Sequence, residues 1–336
     1  MGAIYLVTGA AGHLGSSVVR ELVSRGERVR ALVLPGDGLA ARLPKGIEVC
    51  EGDLLSTDDL DRFFAVEEGA ELTVLHIAGI VTTYPEFSQK VYDVNVLGTR
   101  NIVERCLRLK VRKLVYVSST SAIPELPHGR RIAEVDTFDP GAVVGFYGKT
   151  KAEASALVMD AVKTRGLDAS IVFPSGLCGP GDYAMEHLTR LLLDASAGKF
   201  PAGIRGGFDA VDVRDVAHGI VLCADRGRRG EGYILGNCVV SLREMFGAVH
   251  GLTGAREVRF MLPLWLAKLA VPLLEVYYRA KKQPPLFTTF ALYNLTRNND
   301  YSSEKARREL GYTTRPFEET IADTLAWLKS ESLADR

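Results

Sequence analysis

Tyr147 and Lys151 stand four residues apart in the stretch FYGKTKAEASALVMDAV. The stretch predicts a long helix, which puts both side chains on one face. An ammonium beside a phenol favours the phenolate. Moving a tyrosine from its ordinary value of ~10 to ~7 asks for roughly 4 kcal/mol, much of which an adjacent cation in a partly dry cleft supplies. Such a pair gives a proton to a forming alcohol and takes one from an alcohol being oxidised. Spacing alone does not single it out, because the same Tyr-x-x-x-Lys pattern starts at Tyr277, Tyr278 and Tyr301. Position does. Tyr147 precedes the sixth predicted strand and falls beside the carboxyl end of the fifth. That fifth strand, LVYVSSTSA, ends in Ser118, Ser119, Thr120 and Ser121, hydroxyls suited to hold a substrate oxygen or simply to make a turn.

A second constellation lies at the start of the chain. The strand AIYLVT runs into Gly9-Ala10-Ala11-Gly12-His13-Leu14-Gly15, and the amphipathic stretch LGSSVVRELVSRG follows at once. Glycines at a strand-to-helix turn let the backbone approach a pyrophosphate, whose charge is favoured by the free N–H groups and dipole of the helix start. Asp53, in the GDL turn after the third strand, has the chemistry to accept a hydrogen bond from an adenine amino group; its plainer reading is a turn or cap carboxylate. His76-Ile77-Ala78-Gly79 puts small residues where a dinucleotide would cross the sheet edge, with His76 read as a packed histidine.

These groups need a scaffold that brings strand ends together. The first 175 residues alternate β-branched runs with amphipathic helices, the pattern of a doubly wound α/β parallel sheet. Strands are expected at 3–8, 28–34, 47–51, 72–77, 113–118 and 168–173. The regularity then breaks at PSGLCGPGD, followed by a helix near 184–197 and the glycine-rich GKFPAGIRGGFDA. VDVRDVAHGIVLCAD and GYILG are expected to return to the sheet before a mainly helical tail from Ser241. Two interleaved units result: 1–174 with 207–237, and a smaller substrate lobe at 175–206 with 238–336.

The 41 basic and 41 acidic residues cancel, which argues against nucleic acid and an anionic membrane surface as partners and for a small-molecule ligand. The five cysteines, Cys50, Cys106, Cys178, Cys223 and Cys238, are odd in number and lack a CxxC pair. Neither a disulfide framework nor a metal site is expected, and a reducing cytoplasm fits. The N-terminus has no basic leader and apolar core, and Leu6 stands where a myristoylation signal wants Ser or Thr. The apolar stretch from Phe260 to Tyr278 is interrupted by Pro263, Lys268, Pro272 and Glu275, so no transmembrane span is expected. Leu262, Leu266, Leu269, Leu273 and Val276 recur at helical spacing; the first reading is an amphipathic helix packed on its own protein, the second a surface that touches lipid or lines a substrate pocket.

Taken in order, the glycine loop, the HIAG turn, the hydroxyl run, the Tyr-Lys pair, PSGLCGPGD, VDVRDVAHGI and a C-terminal ELGY resemble the extended short-chain dehydrogenase/reductase family. The closest likeness is to dihydroflavonol reductase-like and 3β-hydroxysteroid dehydrogenase-like members. The resemblance implies a Rossmann domain that binds NAD or NADP, and a set of roles follows from it. Tyr147 is the proton donor or acceptor, and Lys151 also binds the nicotinamide ribose. Thr120 completes the triad, with Ser119 the alternative if the loop is offset by one. Asn95, in the helix carrying DVNVLGT, supports the lysine. Gly9, Gly12, His13, Leu14, Gly15 and Ser118 fall in cofactor-binding motifs; Pro174, Ser175 and Leu177 match the segment that cups the nicotinamide; Asp53, Leu54, Ala78 and Gly79 match neighbours of the adenosine and phosphates. The family's coenzyme selector at the end of the second strand is missing, since Val33, Leu34 and Pro35 stand there. With Asp37 nearby and no basic residue in place, the reading leans to NAD. The implied activity is interconversion of a secondary alcohol and a ketone on a fairly apolar, steroid- or flavonoid-like substrate, in a homodimer. The competing readings are a nucleotide-sugar epimerase or dehydratase, with Arg205, Arg214 and Arg297 available to a diphosphate, and a non-catalytic cofactor sensor.

Overall fold

Strands β1 (Ala3–Thr8), β2 (Arg28–Val33), β3 (Glu48–Glu51), β4 (Glu71–His76), β5 (Lys113–Val117) and β6 (Ala169–Pro174) follow one another through the first half of the chain. After them come β7 (Gly176–Cys178), β8 (Gly203–Ile204), β9 (Gly207–Asp212), β10 (Gly232–Leu235), β11 (Cys238–Ser241) and β12 (Met261–Leu262). The computed structural model describes residues 3–280 and 289–331, and only the backbone of 273–275 and 277–280. Seven strands form one parallel sheet in the order β10-β6-β5-β4-β1-β2-β3. Its central strands are apolar on both faces because helices cover both.

The helices are α1 (His13–Ser24), α2 (Thr57–Phe64), α3 (Gln89–Tyr92), α4 (Thr99–Leu109), α5 (Phe146–Arg165) and α6 (His187–Ser196). They continue as α7 (Val213–Arg226), α8 (Leu242–Thr253), α9 (Leu264–Ala280), α10 (Thr289–Thr296), α11 (Glu304–Leu310) and α12 (Phe317–Ser330). One face of the sheet packs on α1, α7 and α11 through Val18, Leu22, Ile220 and Leu310. The other packs on α2, α4 and α5 through Phe63, Ile102, Cys106 and Val158. A third core, with Leu192, Met245, Phe246, Val271, Leu292 and Ile321, holds the C-terminal half together. Strand order reverses between β1 and β4, so the loops after β1 and β4 diverge to opposite faces and leave a crevice at their carboxyl ends.

Three expectations change. VDVRDVAHGIVLCAD returns to the sheet only in part: α7 packs against α1, but β9 pairs with β7 and β11 in a separate three-stranded sheet, while β10 takes the edge beside β6. The break at PSGLCGPGD hides β7, too short to show a period. The apolar stretch also divides differently. Leu262 lies in β12, and the side of α9 that enters the core carries Ala267 and Val271, whereas Leu269 is 63% and Val276 70% exposed. The side chain of Leu273 lies outside the described residues. Among those residues no helix is long and apolar enough to cross a membrane.

Candidate active site

The loop between β1 and α1 is closed by contacts that admit no side chain. Gly9 has φ +67°, and a Cβ there would sit 2.7 Å from the backbone of Ala78. A Cβ on Gly15 would sit 2.0 Å from the Gly9 carbonyl oxygen. Gly12 is the N-cap of α1 and brings no side-chain cap. The N–H groups of His13, Leu14 and Gly15, in the first turn, therefore have no intrahelical acceptor. This donor set at a positive helix end fits the pyrophosphate of a dinucleotide. Leu14 is buried in the core, and the His13 ring turns to the 179–182 segment, Nε2 lying 3.3 Å from the Pro180 carbonyl. Burial pushes the His13 imidazole below its ordinary value against the pull of Asp182.

Across the crevice, the end of β4 is locked by a chain of hydrogen bonds. The N–H groups of Ile77 and Ala78 donate to Thr8 Oγ1 at 3.2 Å, and Thr8 Oγ1 lies 2.8 Å from His76 Nδ1. Thr99 donates to the Asn95 carbonyl at 2.7 Å, so at 3.0 Å it accepts from His76 Nε2. His76 is thus a neutral, fully partnered residue. Burial, with Lys151 nearby, takes it down to about 3, which agrees with the reading of a packed histidine.

Asn95 lies in a π-helical turn, Asp93–Gly98, that joins α3 to α4. Its Oδ1 accepts from Ile80 N at 2.8 Å, and its Nδ2 donates to Ile80 O at 3.0 Å and to Thr150 Oγ1 at 3.1 Å. Thr150 in turn donates to the Tyr147 carbonyl at 2.8 Å. One amide therefore ties the loop after β4 to the first turn of α5.

Gly145 precedes α5 with φ +83°, and a Cβ there would strike the Phe290 ring at 2.6 Å, so α10 lies close over the helix start. Gly148 lets α5 press on the turn Thr120–Ala122, where a Cβ would be 2.6 Å from the Ser121 carbonyl. This contact sets Tyr147 beside Ser119, whose hydroxyl accepts from Ser121 N at 3.1 Å and is near enough to pull the phenol's value down. Burial nevertheless dominates and raises Tyr147 to about 12. Lys151 is 4% exposed, and its Nζ donates to the Val117 carbonyl at 2.8 Å and lies over the Tyr116 ring. Burial lowers it to about 7. The expected lowering of Tyr147 by Lys151 does not operate in the protein alone, because the ammonium is turned to the strand end and the desolvation of the phenol prevails.

The hydroxyl run sorts by direction. Ser118 donates to Ser155, which donates to the Lys151 carbonyl, so Ser118 braces α5. Ser119 is extended (φ −163°) and faces Tyr147. Thr120 is buried on the side of Tyr301, whose phenol receives Arg297. Of the two hydroxyls that the sequence offers, Ser119 is the one on the Tyr147 side. Tyr301 itself forms no pair with Lys305, which is bound to Glu231; the lysines paired with Tyr277 and Tyr278, Lys281 and Lys282, lie outside the described residues.

The remaining expected positions divide. Gly79 approaches Lys151 Nζ and Asn95 closely. Leu34 is 58% exposed at the end of β2. Leu54 is buried, and one Asp53 oxygen accepts from Leu55 N at 2.9 Å, the turn-carboxylate role. Pro174 ends β6 beside Leu235, and Leu177 is half-buried against the core. The hydroxyl of Ser175 is engaged. It donates to Asp209 Oδ1 at 2.5 Å, because this buried carboxyl, raised to about 6, needs donors. Asp37 accepts from Leu39 N and caps a turn rather than projecting freely. Sequence reasoning missed Thr8, Thr99, Phe290 and the Tyr301 contact, for which only the Tyr-x-x-x-Lys pattern gave a signal, and a misleading one.

Known proteins share this sequence and fold. Residues 5–236 match the model of the NAD dependent epimerase/dehydratase family. The sterol demethylase protein B of Methylococcus capsulatus is 32% identical, over 98% of this chain and 99% of that one. A putative dihydroflavonol 4-reductase of Synechocystis is 29% identical, over 98% and 96%. The crystal structure of gox2253 superposes with a TM-score of 0.84 at 31% identity, covering 98% of both chains. The chain belongs to the NAD-dependent epimerase/dehydratase family and is an extended short-chain dehydrogenase/reductase that works with NAD or NADP.

Proposed function

We propose that the protein interconverts a secondary alcohol and a ketone on a fairly apolar substrate of the steroid or flavonoid kind. The observation that carries this is the meeting of Ser119, Tyr147 and Lys151 at the carboxyl end of β5. The names of the relatives, a sterol demethylase protein and a dihydroflavonol reductase, support the substrate class. The bound nicotinamide supplies or accepts the hydride. In this reading Tyr147 gives the proton to the carbonyl oxygen or takes it from the hydroxyl, while Ser119 donates a hydrogen bond to that oxygen. Lys151 holds the nicotinamide ribose, and Asn95 positions α5 through Thr150. The N–H groups of His13–Gly15 hold the pyrophosphate, Asp53 the adenine, and Pro174 and Leu177 wall the nicotinamide. Residues 1–174 and 207–237 are the cofactor unit; 175–206 and 238–336 are the substrate lobe, from which Phe290 packs on the start of α5.

NAD is proposed over NADP, since Arg42, the basic residue that follows β2, stacks 3.8 Å from the Tyr183 ring centre and pairs with Glu331. The nucleotide-sugar reading asks for cations free to meet a diphosphate. Arg214 is held by Asp212 and Asp323, and Arg297 reaches Glu125 and Tyr301, which leaves exposed Arg205 at the rim of a cavity of about 530 Å³. Five unpaired cysteines support a cytoplasmic setting, and the family likeness supports a homodimer through two long helices including α5, which a monomeric mass in size-exclusion chromatography would overturn.

Calorimetric titration tests the reading: NADH and NADPH first, then hydroxysteroids, aromatic ketones and UDP-glucose. Binding of an apolar ketone only after the coenzyme supports it, and tight binding of UDP-glucose overturns it. Ser119→Ala should lower kcat by roughly 10- to 100-fold, a lost hydrogen bond to the reacting oxygen. Thr120→Val should leave kcat near the wild-type value, and the reverse order would restore the Thr120 assignment.

A further inference from the structure

The apolar face of a helix in a water-soluble fold ordinarily turns to the core. Helix α9 instead lies on the surface with Trp265, Leu269, Pro272 and Val276 outward, spaced so that they form one stripe. Trp265 is 66%, Leu269 63% and Val276 70% exposed, and Phe260, 60% exposed, extends the patch before the helix. Exposed Lys268 borders it. The charge around it is uneven. Among the described side chains from Arg256 to Val276, Arg256, Arg259 and Lys268 are exposed against one acid, Glu257, which pairs with Arg259, within a chain whose formal charge is +0. The neutral total that argued against an anionic membrane surface is an average, and this stretch departs from it.

We propose that the outward face of α9 docks on an anionic lipid bilayer, lying in the interface without crossing it. Apolar side chains centred on a tryptophan and bordered by cations suit the headgroup boundary, where the ring sits at the interface and the cations meet acidic headgroups. A second copy of the chain is the poorer occupant, because two faces of the same positive sign repel. At 17 residues with a proline inside, α9 is too short to span. The inference does not depend on the oxidoreductase reading, since its test measures lipid binding without turnover.

The full-length protein is sedimented with vesicles of phosphatidylcholine alone and of an equal mixture with phosphatidylglycerol. It should pellet with the mixed vesicles. Lys268→Glu should weaken that binding roughly tenfold through charge, and Leu269→Glu by roughly tenfold or more through lost apolar insertion. Each replaced side chain is exposed, so the variants should fold, with unchanged coenzyme binding as the check. Subtracting the emission of Trp265→Phe isolates Trp265 from Trp327, the second of 2 tryptophans, and the isolated emission should move to shorter wavelength when mixed vesicles are added. Equal sedimentation of wild type and Leu269→Glu, or Trp265 emission indifferent to lipid, overturns the proposal. A dimer that Leu269→Glu dissolves overturns it too and assigns the face to a second copy.

Discussion

Tyr147→Phe is expected to lower kcat by about 10²- to 10⁴-fold, the range for removing a positioned acid or base, while coenzyme affinity stays at the wild-type value. Only the phenolic oxygen goes. The ring keeps its place because Gly148 and the Ser121 carbonyl fix α5, and Lys151 keeps its bond to Val117 O. Steady-state kinetics beside a fluorescence titration of coenzyme separates the two effects. Turnover at the wild-type rate would end the proton-transfer role of Tyr147. The pH profile adds a sign. Burial holds the phenol up to about 12, so its proton is present through neutral pH and is lost as pH rises through that value. In the protein alone reduction therefore has its proton donor throughout the neutral range, whereas oxidation, which needs the phenolate, should speed up with rising pH. Tyr147→Phe should abolish that rise.

Gly15→Ala is expected to lose coenzyme binding by at least roughly 100-fold, about 2.7 kcal/mol. The added methyl would overlap the Gly9 carbonyl at 2.0 Å, so either the first turn of α1 withdraws or the loop opens. Both outcomes disperse the N–H groups that converge there. Gly247→Ala is the control: its Cβ meets nothing within 4 Å, on an exposed face of α8. That change should leave binding intact and add up to ~1 kcal/mol of helix stability. Melting curves with and without coenzyme distinguish a general loss of fold from a local one. Wild-type affinity in Gly15→Ala would show that this turn does not hold the pyrophosphate.

Much of this could be read in the chain because parallel strands covered on both faces appear as unbroken apolar runs. The strand expected at 3–8 is β1, and the one expected at 113–118 ends one residue earlier. The glycine loop and the Tyr-Lys helix were equally plain, since both are local. What the residues alone could not settle was direction. Ser119 and Thr120 adjoin where extended chain gives way to the tight turn Thr120–Ala122, so an offset of one exchanges a residue beside Tyr147 for one beside Tyr301. The side-chain bond of Ser175 was illegible for another reason. Its partner Asp209 is 34 positions away, on a strand that leaves the main sheet. The exposed stripe on α9 was legible as periodic but not as outward, because periodicity gives a face and not what covers it.

The π-helical turn at Asp93–Gly98 gives the helix pair α3 and α4 one residue more than an even α-helix would carry through the same span. Asn95 owes its aim to that surplus. Deleting one residue from the turn would restore ordinary winding and turn everything before it by about a quarter of a revolution, carrying the amide away from Ile80 and Thr150 while the apolar seam of α4 stayed intact. The helix would survive and the site would not. Length changes at this turn therefore reach both the packing of the buried Val91 and Val96 and the anchoring of the catalytic helix.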